Sequence, residues 1–253
     1  MIRSAEDCAG FCRDCGREHV LPAAPAMQHA LALMAEIEAR GSIAPQGLDD
    51  PRLGLDYLFG PARGQMFGVL VCLDGRGNER VLKAFSGQYD GVWEVPGWVP
   101  PVVDPEEFGR TIRDDEPRIK ALTRRIGELP PDSPRRRDLL AERRELSAGL
   151  MARIFNLYRP ANFRGQRRLL REAFHGRAMP TGTGECCAPK LLHHAALHGL
   201  VPLALAEFYV GRENRSGTRT HGRFFAPCAE KCRPILGFML CGVEELRSGA
   251  PMP

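Results

Sequence analysis

Residues 180–211 of the chain read PTGTGECCAPKLLHHAALHGLVPLALAEFYVG. The glycine-rich start predicts a loop, and the apolar spacing after it predicts a helix over 187–198, ended by Gly199. The run from Pro202 to Val210 is almost wholly apolar, so we expect a strand there. A helix followed directly by a strand indicates an α/β fold, with Cys186 and Cys187 at the start of the helix.

Three further segments complete the expected architecture. Apolar runs flank a turn containing Asp, Gly and Asn, which predicts a β-hairpin over 66–85. Apolar residues at helical spacing predict a helix over 25–41, and a second one begins near Cys228. We therefore predict an α/β fold with a small mixed sheet. The hairpin and the 202–210 strand form that sheet, and helices 187–198 and 228–240 pack on it.

The basic charge of the chain is concentrated between residues 105 and 172. This segment has 17 Lys/Arg against 11 Asp/Glu, a net charge of +6, whereas the whole chain has +4. Prolines at 130–134 separate two charged helical patterns, which predicts an inserted basic helical hairpin, and 162–174 adds a further basic helix. A solvated charged hairpin is one interpretation. The other is binding of structured RNA through its phosphates by Arg135, Arg136, Arg137, Arg167 and Arg168.

Length and composition favour one large domain. We expect a Cys-rich segment over 1–24 and a single α/β domain over 25–253, because 253 residues can enclose one sizeable core. No apolar run approaches the roughly 20 residues of a membrane helix, and the first ten residues contain no apolar stretch of a signal peptide. We therefore expect a cytoplasmic protein with reduced cysteines that bind metal or lie buried.

The C-terminal cysteines give the strongest chemical pattern. Cys186 lies at one expected helix start, and Cys228 and Cys232 lie at another, where thiolates and zinc binding are favoured. His221 is the predicted fourth ligand. Zinc nucleobase deaminases have the same order of elements: a cysteine at a helix start, a strand, a loop and a Pro-Cys pair at a second helix start. In those enzymes a glutamate carries the proton. Glu185 is the predicted proton carrier, although here two cysteines are separated by three residues instead of two.

A second, weaker zinc pattern lies near the N-terminus and consists of Cys8, Cys12, Cys15 and His19. We expect Cys187 and Cys241 to be thiols of the core. His194 and His198 share one helix face, but without an acidic or third partner they are expected to be ordinary core or solvated histidines.

The segments described above resemble a known family region. The stretch at 180–211, together with HGRFFAPCAEKCRPILGFML at 221–240, is similar to the region preceding the catalytic domain of long RluA-type pseudouridine synthases. GQMFGVLVC, LKAFSG and GWVPPVVD at 64–104 share this resemblance, which covers roughly 25–243. The chain lacks the H-R-L-D-like motif of the synthase domain. The resemblance therefore implies an accessory role in RNA modification beside a separate synthase, and no pseudouridine synthase activity.

The same helix start also resembles toxin-type deaminases whose helix opens with Cys-Ala-Glu-Pro-Lys. Cys186, Pro189 and Lys190 match this pattern, whereas Ala188 occupies the position of the glutamate. The resemblance implies a zinc-binding, deaminase-like protein that acts on RNA. The alternative is a non-catalytic RNA-binding or protein-docking module with a structural zinc ion.

Overall fold

The computed structural model describes residues 7–249, so the first six and last four residues of the two expected domains lie outside it. A 3₁₀ turn covers Pro51–Leu53. The other elements are, in chain order, β1 (Cys8–Cys12), β2 (Arg17–Leu21), α1 (Ala24–Arg40), α2 (Asp56–Phe59), β3 (Gln65–Leu73), β4 (Glu79–Phe85), α3 (Pro105–Ile112), α4 (Asp115–Gly127), α5 (Pro134–Leu157), α6 (Leu170–Ala173), α7 (Cys187–Leu197), β5 (Val201–Val210), β6 (Phe224–Phe225), α8 (Arg233–Leu240) and α9 (Val243–Ser248).

The fold is α/β, with two small antiparallel sheets and several helices. Strands β1 and β2 form one sheet, and the other has the strand order β4-β3-β5-β6. Every neighbouring pair is antiparallel, so the prediction of a mixed sheet is wrong. Helix α7 places the start of β5 beside the end of β3, where Val201 pairs with Leu73. The two strands therefore run in opposite directions.

The larger sheet separates two cores because successive side chains of a strand point to opposite faces. On β3, Phe67 and Val69 join a core formed with α1 and the segment around Leu53. Leu70 faces the other way and joins a core formed with α7 and α8. The same alternation on β5 places Phe208 on the α1 side and turns Glu207 toward α7.

The charged region between 105 and 172 contains α3 and α4 before the prolines at 130–134 and α5 after them, but not the helix expected over 162–174. Helices α4 and α5 pack around an apolar cluster that includes Leu122, Ile126 and Leu139. The predicted helix over 162–174 is wrong, because only the four residues of α6 are helical. The side chain of Asn162 accepts hydrogen bonds from the backbone N–H groups of Arg164 and Gln166, which stabilises a turn in place of a helix.

The Cys-rich N-terminal segment is a hairpin that packs on helix α8. Gly10 of β1 and Gly237 of α8 lie where two backbones touch. A β-carbon added at Gly10 would lie 2.8 Å from the carbonyl carbon of Leu236. The hairpin therefore belongs to the packed structure of the domain.

Helix α8 itself begins at Arg233, five residues later than predicted. The backbone folds into a tight turn between Cys228 and Cys232 before the helix starts.

Among the helices within 7–249, none combines the length and the apolar character needed to cross a bilayer.

Candidate metal centres

Three cysteines from two elements meet on the α7 side of the larger sheet. Cys186 precedes the first turn of α7, Cys228 lies in the tight turn before α8, and Cys232 precedes the first turn of α8. The Sγ atom of Cys228 lies 4.0 Å from that of Cys186 and 3.3 Å from that of Cys232. All three Sγ atoms lie within 4.8 Å of one another and could hold a metal ion. We call this group the three-cysteine site.

The three thiols of the three-cysteine site differ in pKa. Hydrogen bonds with the thiols of Cys186 and Cys232 lower the pKa of Cys228 well below its usual range, and a backbone N–H of the turn adds to this effect. The hydrogen bond with Cys228 raises the pKa of Cys186, and hydrogen bonds with Cys186 and Cys228 raise the pKa of Cys232. Cys228 is therefore the thiol that ionises first, and thiolate is the form of cysteine that binds metals.

A cavity of about 380 Å³ opens beside the three-cysteine site. Cys186 and Cys228 form part of its wall, which also contains Glu185, Glu207 and the half-buried Lys231. A group bound by the sulfurs would therefore have one side directed to a space with acidic and basic side chains.

Glu207 is the residue of this cavity that we did not predict. Its side chain is only 4% exposed, and its Oε1 accepts a hydrogen bond of 2.7 Å from the backbone N–H of Ala188 in the first turn of α7. Burial raises the pKa of Glu207 to about 8, although the hydrogen bond from Ala188 opposes the rise. The sequence contains a signal for it, because Glu207 is the lone charged residue in the apolar strand β5.

Glu185, the predicted proton carrier, lines the same cavity but has a different environment. Its Oε2 lies 3.4 Å from Nζ of the buried Lys190, which also donates hydrogen bonds to the backbone carbonyls of Phe85 and Gly87. Burial raises the pKa of Glu185, and the charge of Lys190 opposes this rise. Glu185 therefore serves as the counter-ion of a buried lysine.

His221 is not placed with the three cysteines, contrary to the prediction of a fourth ligand. Its Nδ1 accepts a hydrogen bond from the backbone N–H of Gly211, and its Nε2 lies 3.4 Å from Oε1 of Glu38 on α1. The contact with Glu38 places the imidazole beside α1. Within 7–249, the metal-ligand grouping at this site contains three residues.

A second group consists of Cys12, Cys15, His19 and Cys241, whose ligand atoms all lie within 4.8 Å of one another and could hold a metal ion. We call this group the hairpin site. The prediction of Cys8 as a ligand is wrong, because Cys8 is buried in the core between the sheet and α8. Cys241 is buried, as expected of a core thiol, but its Sγ also belongs to the hairpin site, whereas Cys187 is a core thiol outside both sites. Cys241 could not be linked to the pattern from sequence, because more than 220 residues separate it from His19.

The other predicted residues are dispersed. Arg135 and Arg137 are exposed on α5, Arg136 is half-buried beside them, and Arg167 is exposed in the turn after Asn162. Arg168 pairs with Asp14 and lies over the ring of Phe238, so it holds the N-terminal hairpin. His194 and His198 stack on each other at 4.0 Å between ring centroids, outside both groups of metal ligands.

The buried His193 gives a prediction about pH. Its Nδ1 accepts a hydrogen bond from the backbone N–H of Ala161, and burial lowers its pKa from 6.5 to about 4. The unfolded chain therefore binds a proton near pH 6.5, whereas the folded chain binds it only near pH 4. Stability falls as the pH drops through this interval, by about 2 kcal/mol between pH 7 and pH 5. Urea unfolding at both pH values should show this loss in the wild type and a clearly smaller loss in His193→Asn, which keeps an acceptor but does not titrate. Equal losses in the two proteins would contradict the assignment.

No protein-family profile, no curated protein and no solved structure matches the chain. The chemistry of the two groups of metal ligands is therefore the basis for assigning a function.

Proposed function

We propose that the chain is a zinc-binding, deaminase-like protein of RNA modification, and that the three-cysteine site is its reaction centre. The observation that carries this proposal is the convergence of three Sγ atoms beside a cavity that also contains the buried carboxylate of Glu207. Catalytic zinc sites in proteins keep three protein ligands and one open position, whereas structural sites are closed by four. The three-cysteine site offers three protein ligands, as catalytic zinc sites do.

The donor set fits zinc. Thiolates are soft ligands that select zinc over magnesium or calcium, and two of the three sulfurs lie at the starts of helices α7 and α8, where partial positive charge favours thiolates. When bound, a zinc ion with an open position lowers the pKa of water and supplies a nucleophile at neutral pH.

Glu207 is the residue that we assign to proton transfer. Hydrolytic deamination adds the oxygen of water to the carbon that bears the amino group, breaks the carbon–nitrogen bond and releases ammonia. The proton lost by water must reach the base and then the leaving amino group. Glu207 can accept and return it, since its carboxylate lines the cavity while the Ala188 N–H fixes its orientation. Ala188 occupies the position of the glutamate in the related sequence pattern, so a carboxylate from β5 would substitute for one from α7.

A second cavity of about 580 Å³ supports a nucleic-acid substrate. It shares Cys228 and Arg219 with the first cavity, and its wall also contains Arg223, Arg233 and Phe225. The guanidinium of Arg219 lies 4.3 Å from the ring centroid of Phe225. Proteins that bind single-stranded RNA commonly use arginines to contact phosphates and aromatic rings to stack on bases. Arg135 and Arg137, exposed in the first turn of α5, would add phosphate contacts to structured RNA.

The RluA-like motifs support a place beside a separate pseudouridine synthase. The matching stretches 180–211 and 221–240 contain all three cysteines of the three-cysteine site. We propose that the chain corresponds to the accessory region of those enzymes and contributes the three-cysteine site.

The test is incubation of the zinc-loaded chain with total tRNA and rRNA, followed by mass spectrometry of the nucleosides. We expect uridine formed from cytidine, or inosine formed from adenosine, with release of ammonia and without new pseudouridine. A zinc-loaded chain that binds these RNAs but forms neither product would contradict the catalytic proposal. That result would favour the alternative, a non-catalytic RNA-binding module with a structural zinc ion.

A further inference from the structure

The turn of the N-terminal hairpin brings two cysteines to one side. Cys12 ends β1, and the backbone N–H of Gly16 donates a hydrogen bond of 3.0 Å to the carbonyl of Cys12, with Gly16 in the left-handed region at φ 68°. Cys15 lies inside this tight turn. Two cysteines separated by two residues on such a turn are a recurrent half of structural zinc sites.

His19 of β2 completes the half-site and has the environment of a metal ligand. Its side chain is 1% exposed, and its Nε2 lies 3.1 Å from Sγ of Cys15. The other ring nitrogen, Nδ1, lies 3.3 Å from Oε1 of Glu244 on α9. Histidines that bind metals usually donate their second N–H to a carboxylate, which fixes the tautomer and the orientation of the ring.

The fourth ligand comes from the opposite end of the chain. Cys241 follows the last turn of α8, and its Sγ lies with the other three ligand atoms because β1 packs directly on α8 through Gly10 and Gly237. Cys8 lies four residues before Cys12, at the opposite end of the same strand, and is packed in the core. The fourth ligand is therefore Cys241 and not Cys8.

Charged residues of both signs lie beside this group. Arg17 donates a hydrogen bond of 2.9 Å to Glu245, and Arg164 contacts the same carboxylate at 2.6 Å. Arg164 also interacts electrostatically with the sulfurs of Cys15 and Cys241. Three thiolates and a neutral histidine around a divalent ion leave one negative charge beside these two arginines, each of which is also paired with Glu245.

We infer that the hairpin site is a second, structural zinc site, closed by three cysteines and one histidine, which fastens the N-terminal hairpin to the C-terminal segment. Binding of one zinc ion releases the thiol protons of Cys12, Cys15 and Cys241 and leaves no open position for water. Its role is to hold β1 against α8, the helix directly preceded by Cys232 of the three-cysteine site. The inference does not depend on catalysis at that site.

The first experiment measures zinc per chain by elemental analysis of the purified full-length protein. We expect Cys15→Ser and Cys241→Ser to lose about one zinc ion relative to wild type. Cys8→Ser is the matched control, because Cys8 is a buried cysteine of the same hairpin outside the ligand set, and it should keep the wild-type zinc content. A Cys241→Ser protein with as much zinc as Cys8→Ser would overturn the inference.

A second measurement keeps the inference testable if Cys241→Ser does not fold. Cys15 is only half-buried, so without a bound metal it should react with iodoacetamide in the folded chain. We expect its alkylation in the zinc-loaded wild type to accelerate at least about tenfold after chelation, and the same acceleration in Cys228→Ser, which retains the hairpin site. An unchanged alkylation rate of Cys15 after chelation would contradict the inference. Since Cys228→Ser disrupts only the three-cysteine site, failure of the two assignments can be distinguished.

Discussion

Under the proposed deaminase activity, the Glu207→Gln protein is expected to form product from RNA about 10²- to 10⁴-fold more slowly than wild type, with unchanged zinc content. Glutamine has the same shape and can still accept the hydrogen bond from the Ala188 N–H, so the cavity should be preserved. It cannot accept a proton from the attacking water. The loss therefore reports proton transfer and not folding. The measurement is the initial rate of product formation, together with zinc content and unfolding free energy.

The matched control for this prediction is Glu185→Gln. This substitution leaves the ammonium of Lys190 buried without its counter-ion, and breaking a buried ion pair costs about 3–5 kcal/mol. Glu185→Gln should therefore lose stability together with activity, whereas Glu207→Gln should lose activity alone. If Glu207→Gln keeps a rate within about threefold of wild type, the assignment of proton transfer to Glu207 is wrong.

The second large effect is expected for Gly237→Ala in helix α8. Alanine is favoured over glycine in a helix by about 1 kcal/mol, so the substitution alone would stabilise the protein. At this position, however, the added β-carbon would lie 2.6 Å from the backbone nitrogen of Cys12 and against the carbonyl of Phe11. Backbone atoms of a paired strand cannot move aside without losing the packing of β1 on α8. We expect a net loss of about 3 kcal/mol in unfolding free energy, at the upper end of overpacking effects.

Gly109→Ala in helix α3 is the control, because a β-carbon there meets no atom within 4 Å. Urea unfolding should show that Gly109→Ala is as stable as wild type or more stable by up to about 1 kcal/mol. Hydrogen exchange should show faster exchange of the 8–21 hairpin in Gly237→Ala. A Gly237→Ala protein that unfolds like Gly109→Ala would contradict the close contact of β1 with α8.

Local patterns predicted much of this fold, because the residues that decide each element lie close together in the sequence. Helices α1 and α7, strands β3, β4 and β5 and the helix pair α4–α5 follow the apolar spacing and the turn residues. The helix expected over 162–174 fails for a reason that is also local, since the side chain of Asn162 competes with helix formation. The direction of β5 relative to β3 depends on where α7 places β5. Local sequence patterns do not predict this placement.

The two candidate metal sites also contain some residues that local sequence predicts and others that only tertiary packing brings in. Cys186, Cys228 and Cys232 were recognisable because each lies near a helix start, and the structure brings them together. Cys241 and Glu244 reach the hairpin site only through the packing of β1 on α8, so no spacing rule predicts them. Glu207 could have been found, because an acidic residue in an otherwise apolar strand needs a buried partner or a function.

The most direct test of a metal centre at the three-cysteine site is elemental analysis of the purified chain and of Cys228→Ser, with Cys72→Ala as a control. Cys72 is a buried thiol of β3 outside both groups of metal ligands. We expect about two zinc ions per chain in wild type and in Cys72→Ala, and about one in Cys228→Ser. A Cys228→Ser protein that retains the full zinc content of Cys72→Ala would contradict the assignment of a metal centre to Cys186, Cys228 and Cys232.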